Sequence, residues 1–172
     1  MITTTLNLIR AHKPCRSGWT KLLAGLGKTQ ADDEPLPFAD ILRINGLNDA
    51  LWACRCEPQY AKQWRLFAVA CARDVQHLMT DPRSVAALDM AERYANGDAT
   101  DDELAVARKA AYAAYAAYAY ADAAAAAAAA DAADAAAYAY AAAYAYAAAA
   151  YTAAGRKEIR DRQTQRFLEL VS

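Results

Sequence analysis

The sequence predicts an all-α fold, a single-domain bundle of about eight or nine helices. Three observations predict it: one long alanine-rich tract, apolar residues recurring every three or four positions elsewhere, and no segment with the period-two alternation of a strand. The first 99 residues are expected to form the N-terminal helical part of the core. Residues 100–172 supply the Ala/Tyr-rich helices and a C-terminal helix, packed as one domain with it.

Between Ala110 and Ala154, 32 of 45 residues are alanine and none is glycine or proline. Alanine loses no side-chain entropy in a helix, so the tract is helical. One straight rod of that length would reach roughly 68 Å at 1.5 Å per residue, against about 40 Å for the diameter of a compact chain of this size. A folded-back pair of helices is therefore expected, broken near Asp122, Asp131 or Asp134, each able to cap a new helix with its carboxylate. A long, bent or protruding helix is the alternative.

The tract's large contacts must come from tyrosine. At 100° per residue Tyr112, Tyr115, Tyr118, Tyr140, Tyr144 and Tyr151 gather on one side, and Tyr120, Tyr138 and Tyr146 on another. One stripe can pack on the fold while the other meets a partner, because tyrosine gives large amphipathic area at low entropy cost. Tyr112, Tyr115, Tyr118, Tyr120, Tyr138, Tyr140, Tyr144 and Tyr146 are the candidate protein-binding residues.

The remaining elements follow from local signals. Leu6 to Ala11 reads as a short helix closed by Pro14. Ser17 is read as the cap of a second helix carrying Trp19, Leu22, Leu23 and Leu26 and stopped by Gly27. Gln30 to Pro37, acidic and proline-bearing, reads as a surface loop. Phe38 to Asn45 forms the next helix, ended by Gly46, and Asn48 is read as the cap of a short helix bearing Leu51, Trp52 and Cys54. After Pro58, the gaps between Tyr60, Trp64, Phe67, Cys71, Val75 and Leu78 are all three or four, which predicts the central helix of the N-terminal core. Asp81-Pro82 turns the chain into a helix from Ser84 to Asn96, terminated by Gly97. Thr100 with Glu103 forms a capping box before the tract. After Gly155, a last helix sets Ile159, Phe167, Leu168 and Val171 as an apolar edge beside Arg156, Lys157, Arg160, Arg162 and Arg166.

Composition narrows the function classes. With 172 residues, a net charge of −1 and a pI near 6.1, the chain is long enough for one cored domain and has no basic excess that would favour nucleic acid. The first ten residues lack a basic region followed by an apolar stretch, and Asp122, Asp131 and Asp134 interrupt the tract too often for a membrane span. A cytoplasmic protein is expected, with Cys15, Cys54, Cys56 and Cys71 reduced. His12, Cys15, Cys54 and Cys56 are the side chains a zinc site would draw on. On a helix, however, Cys54 and Cys56 would point about 200° apart, so no metal and no cofactor are expected.

No reaction is legible. Gly25-Leu26-Gly27-Lys28-Thr29 ends like a phosphate-binding loop, but Leu22 stands where that motif needs its first glycine and a helix precedes it in place of a strand. The acidic trios Asp32-Asp33-Glu34 and Asp101-Asp102-Glu103 suit a loop and a helix start. His12 and His77 have no nucleophile or orienting acid at a catalytic spacing.

Several blocks carry a resemblance: Pro14 to Trp19 with Leu26 to Thr29 and Asp32 to Leu36; Asn45 to Trp52; Arg65 to Ala68 through Ala72-Arg73; Ala91 to Gly97; and Asp102 to Leu104. With the tract they cover most of the chain, which resembles a family of alanine-rich helical immunity proteins of bacteria and their phages. The resemblance implies neutralisation of a toxin by direct binding or, for a phage-borne copy, inhibition of a host defence protein. A non-enzymatic protein-binding inhibitor is thus the leading expectation. A self-assembling helical protein, homo-oligomeric through its tract, and a nucleotide or small-ligand binder are the alternatives.

Overall fold

A computed structural model describes residues 1–79, 81–117 and 153–172. Among these, eight α-helices and one two-residue strand pair form an all-α fold. The elements are β1 (Thr3–Thr4), α1 (Leu6–Ala11), α2 (Arg16–Leu26), β2 (Leu36–Pro37), α3 (Phe38–Asn45), α4 (Leu47–Ala53), α5 (Ala61–Asp74), α6 (Pro82–Asn96), α7 (Asp101–Ala117) and α8 (Ala153–Val171). Single turns of 3₁₀ helix occupy Cys54–Cys56, Pro58–Tyr60 and Gln76–Leu78.

Helix ends follow the local signals closely. Gly27 and Gly97 close α2 and α6 in the left-handed conformation. Gly46, at φ 91 and ψ 175, joins α3 to α4 in a backbone region that a side chain essentially forbids. The capping box at α7 is formed: Glu103 N–H donates to Thr100 Oγ1 at 3.2 Å, and Thr100 N–H to Glu103 Oε2 at 2.8 Å.

Five expectations are corrected. The cap of α2 is Cys15, whose sulfur accepts from Gly18 N–H at 3.4 Å, because the helix begins one residue before Ser17. Asn48 does not cap α4, whose N-cap is Gly46; its side chain accepts from Arg160 of α8 instead. The central helix stops at Asp74, and the chain tightens into 3₁₀ geometry before Leu78. The loop before α3 contains a strand: Leu36–Pro37 pairs antiparallel with Thr3–Thr4, a ladder too short to leave a sequence pattern. In α8, which starts at Ala153 and runs through Gly155, Leu168 faces outward and the fully buried positions are Gln163, Phe167 and Val171.

The core is an aromatic knot between α3, α5 and α8. Phe167, fully buried, meets Phe38, Trp64 and Phe67 with ring centroids 6.3, 6.2 and 5.5 Å away, and Phe38 meets Trp64 at 5.4 Å. Trp64 satisfies its indole N–H on Glu57 O at 3.1 Å. Main-chain bonds then lock both ends of the chain to this knot: Ile2 N–H donates to Val171 O at 2.7 Å, and Phe38 N–H to Ile2 O at 3.1 Å. Arg166 adds a forked pair with Asp74 at 2.8 and 3.2 Å, tying α8 to α5. On the other side of α5, Arg73 bridges to Asp89 and Glu92 of α6. Alanine then packs α7 on α6, with Ala87 and Ala111 fully buried against Ala107. Such small faces let helix axes come within about 8 Å.

Helix α2 also lies close to α3. A Cβ on Gly25 would fall 2.4 Å from Ile44 Cγ2, so only glycine allows this crossing. The phosphate-loop-like stretch is thereby accounted for: Gly25 is a packing contact, Gly27 a cap, and Lys28 is clamped at 2.6 Å by both Asp32 and Glu34.

Equilibrium urea unfolding checks this hierarchy. Phe167→Ala is expected to cost about 3–5 kcal/mol by emptying the centre of the knot, and Gly25→Ala about 1–3 kcal/mol by forcing α2 from α3. Equal, sub-kcal effects from both would show that the knot is not the centre of stability.

Candidate functional site

The described part of the molecule has one well-formed cleft of ≈ 260 Å³, between α2, α3, α4 and the end of α1. Its floor is apolar, with Ile9, Leu22 and Ile41 among the lining residues, and two tryptophans, Trp19 and Trp52, are its large aromatic side chains. Both are half-buried. Trp52 also carries the Arg55 guanidinium, whose carbon lies 4.5 Å from the ring centroid.

The cleft exists because two helices are strapped together at short range. Asn45, the last residue of α3, donates from Nδ2 to Gly18 O of α2 at 2.9 Å and to Asp49 Oδ2 of α4 at 2.6 Å. A Cβ at Gly18 would come within 2.7 Å of that same carboxylate oxygen, so glycine there is a condition of the strap. Asn45 Oδ1 is shielded from solvent and accepts no hydrogen bond. The strap thus leaves an acceptor and a carboxylate among the residues of an otherwise apolar, aromatic cleft.

Cys15 stands at the cleft's edge. Its sulfur accepts from Gly18 N–H and lies 3.5 Å from Ser17 Oγ. The Ser17 hydroxyl, then the Gly18 N–H, hold this exposed thiol below its usual 9.0. The other three cysteines are buried and move the opposite way. Burial pushes Cys56 up to about 11 and Cys71 up to about 12, and raises Cys54 as well.

Around the mouth lies a basic face that whole-chain charge conceals. Residues 1–31 contain Arg10, Lys13, Arg16, Lys21 and Lys28 and no acid at all, although the chain as a whole is at −1. Arg10, Lys13, Arg16 and Trp19 line one shallow depression that shares Pro14 and Trp19 with the cleft. Arg16 and Lys21 line the next. All four cations are exposed, and among the described residues none has a carboxylate partner, in contrast to the doubly paired Lys28.

The residues expected from sequence fare differently. Tyr112 and Tyr115 fall on α7. Tyr118, Tyr120, Tyr138, Tyr140, Tyr144 and Tyr146, and with them the hairpin or long-helix question, lie outside the described residues. Of the imagined zinc ligands, Cys54 and Cys56 sit on a 3₁₀ turn rather than an α-helix, Cys54 donates to Ala50 O, and His12 donates from Nδ1 to Leu8 O at 3.0 Å. Among the described residues no three His, Cys, Asp or Glu side chains gather as a metal would require, and no helix is long and apolar enough to cross a membrane. Trp19 and Trp52 were legible only as apolar helix positions. The signal that points to their cleft is the acid-free opening of the chain. No protein-family model, curated protein or solved structure matches this chain.

Thiol chemistry tests this geometry. In the folded protein one cysteine, Cys15, is expected to react with a disulfide reagent, with a rate that levels off at a pH below that of an ordinary thiol. Cys54, Cys56 and Cys71 should react only after unfolding. Since their folded values exceed the unfolded 9.0, the stability that burial of the neutral thiols lends is complete below pH 9 and declines as pH rises from 9 toward 11–12. Rapid reaction of two or more thiols in native buffer would contradict the described burial.

Proposed function

We propose that the protein is a non-enzymatic inhibitor that binds and neutralises another protein, either as an immunity factor against a toxin or as an anti-CRISPR-like phage inhibitor of a host defence component. The observation that carries this reading is the pairing of two half-buried tryptophans in one cleft with a rim of three exposed cations, Arg10, Lys13 and Arg16, that have no carboxylate partner among the described residues. Tryptophan and arginine are the side chains most enriched where protein interfaces concentrate their binding energy. A preformed helical scaffold holds them without the ordering cost that a flexible segment incurs on binding.

The resemblance to alanine-rich immunity proteins points the same way, and the tyrosines from Tyr112 to Tyr146 offer a second aromatic surface for the same or an adjoining part of the partner. Such a protein acts in the cytoplasm, which four free thiols support.

Affinity capture with the full-length chain from producing cells is expected to bring down one protein in near-stoichiometric amount. Replacing Trp19 and Trp52 by alanine should lose it, and replacing Tyr138, Tyr140, Tyr144 and Tyr146 by alanine should weaken its retention, with helicity by circular dichroism preserved in both. Absence of any specific co-purifying protein, or full retention by both variants, overturns the reading.

A further inference from the structure

The cleft and its rim ask for different chemistry, and together they describe one occupant. We infer that this surface docks an acidic peptide segment of the partner carrying one bulky apolar or aromatic side chain, with that side chain seated between Trp19 and Trp52 and the flanking carboxylates on Arg10, Lys13 and Arg16. The inference rests on the protein-binding function proposed above and deepens it.

Size narrows what enters. At ≈ 260 Å³ the cleft stands at the small end of sites that hold ligands, which run to roughly 300–1,000 Å³. It is the right size for a single large side chain. Its floor of Ile9, Leu22 and Ile41 offers such a side chain dispersion contacts, and Trp19 and Trp52 offer edge or face packing.

Charge decides what stays outside. Asp49 is among the cleft's lining residues, fixed by Asn45 and, among the described residues, without a cation. A phosphate or carboxylate pushed into the cleft would meet this like charge. The Asp49 carboxylate is an acceptor suited to a main-chain N–H group of a docked peptide. Anionic groups are instead favoured at the rim, where Arg10, Lys13 and Arg16 are exposed and have no carboxylate partner among the described residues.

The backbone supports a dedicated rim. Lys13 holds φ at 55, the left-handed region, where glycine or asparagine would be cheaper by about 1 kcal/mol or more. A cation stands there all the same, in the depression it shares with Arg10 and Arg16. Peptide is favoured over nucleic acid because a base stacked between the tryptophans would bring its phosphodiester toward Asp49.

The test is an amide chemical-shift titration of the full chain with a blocked heptapeptide bearing a central phenylalanine flanked by three glutamates on each side. Shifts are expected at Gly18, Trp19, Asp49 and Trp52. Affinity should fall at least about tenfold when the phenylalanine is alanine, and at least about tenfold in the Arg10→Glu/Lys13→Glu variant, whose exposed sites leave folding intact. Tighter binding of the lysine version, equal binding of the alanine version, shifts confined to other surfaces, or no binding overturns the inference. Stronger binding of oligothymidylate at the same residues overturns it in favour of nucleic acid. Self-association that occludes these residues, seen by light scattering, overturns it in favour of a second copy. The proposed function is judged separately by capture: a partner retained equally by the charge-reversed and the Trp19→Ala/Trp52→Ala proteins sinks the acidic-peptide assignment while leaving inhibition standing.

Discussion

Everything positioned in this molecule depends on Phe167 finding its seat. The ring comes from the last helix and lies against Phe38 and Phe67, which are far away in sequence, so the contact closes nearly the whole chain. Loop-closure cost grows only slowly with length, and a fully buried phenylalanine with three aromatic neighbours outweighs it. Once α8 is seated, the rest becomes inexpensive: Val171 O is presented to Ile2 N–H, Ile2 O to Phe38 N–H, and Arg166 to Asp74. The short strand pair between Thr3–Thr4 and Leu36–Pro37 has little stability of its own and is held in register by these neighbours.

The cleft inherits its geometry from that closure. Phe38 begins α3 in the knot, and Asn45 ends the same helix in the strap, so seating one end fixes where the other meets α2 and α4. Two glycines then set how near α2 can come, Gly25 against Ile44 and Gly18 against Asp49. Arg160 reaches from α8 to Asn48, another residue of the cleft lining. Helix α3 therefore links the buried aromatic centre to the cleft and its two half-buried tryptophans.

What the sequence made legible was local. The glycine stops at Gly27, Gly46 and Gly97 and the Thr100/Glu103 box depend on bonds within one turn, and each is readable from a few residues, whereas the helix expected from Ser84 starts two residues earlier, at Pro82, with Asp81 as its cap. Most expectations that failed depend on distant partners: Leu36 was drawn into a ladder by the first residues, and Leu168 was turned outward because Gln163, Phe167 and Val171 set the buried stripe. Cys15, which replaces Ser17 as a cap, is the exception, because its bond to Gly18 N–H closes within one turn. Tyrosine is conspicuous in the tract because it is frequent there. Trp19 and Trp52 each sit on their own helix with ordinary amphipathic spacing, so nothing local marks them, and their convergence is a consequence of Gly18 and Asn45. The basic opening was in plain sight but averaged away: a net of −1 conceals a first 31 residues free of acid.

That uneven distribution matters because charge acts at a distance and the cleft does not. Screening at physiological salt confines a charge to about 8 Å, so Arg10, Lys13 and Arg16, which line one depression, act on an approaching molecule almost independently of the acids elsewhere. Such rims accelerate encounter and orient it, while the lifetime of a complex is set by the groups that are desolvated at its centre. Arg10, Lys13 and Arg16, on α1, the loop after it and α2, are exposed to water, whereas Trp19, Asp49 and Trp52, on α2 and α4, line the cleft. An Asp49 carboxylate held by Asn45 beside an apolar floor also penalises anionic groups that enter too deeply, so the same strap that shapes the cleft also selects what can fill it.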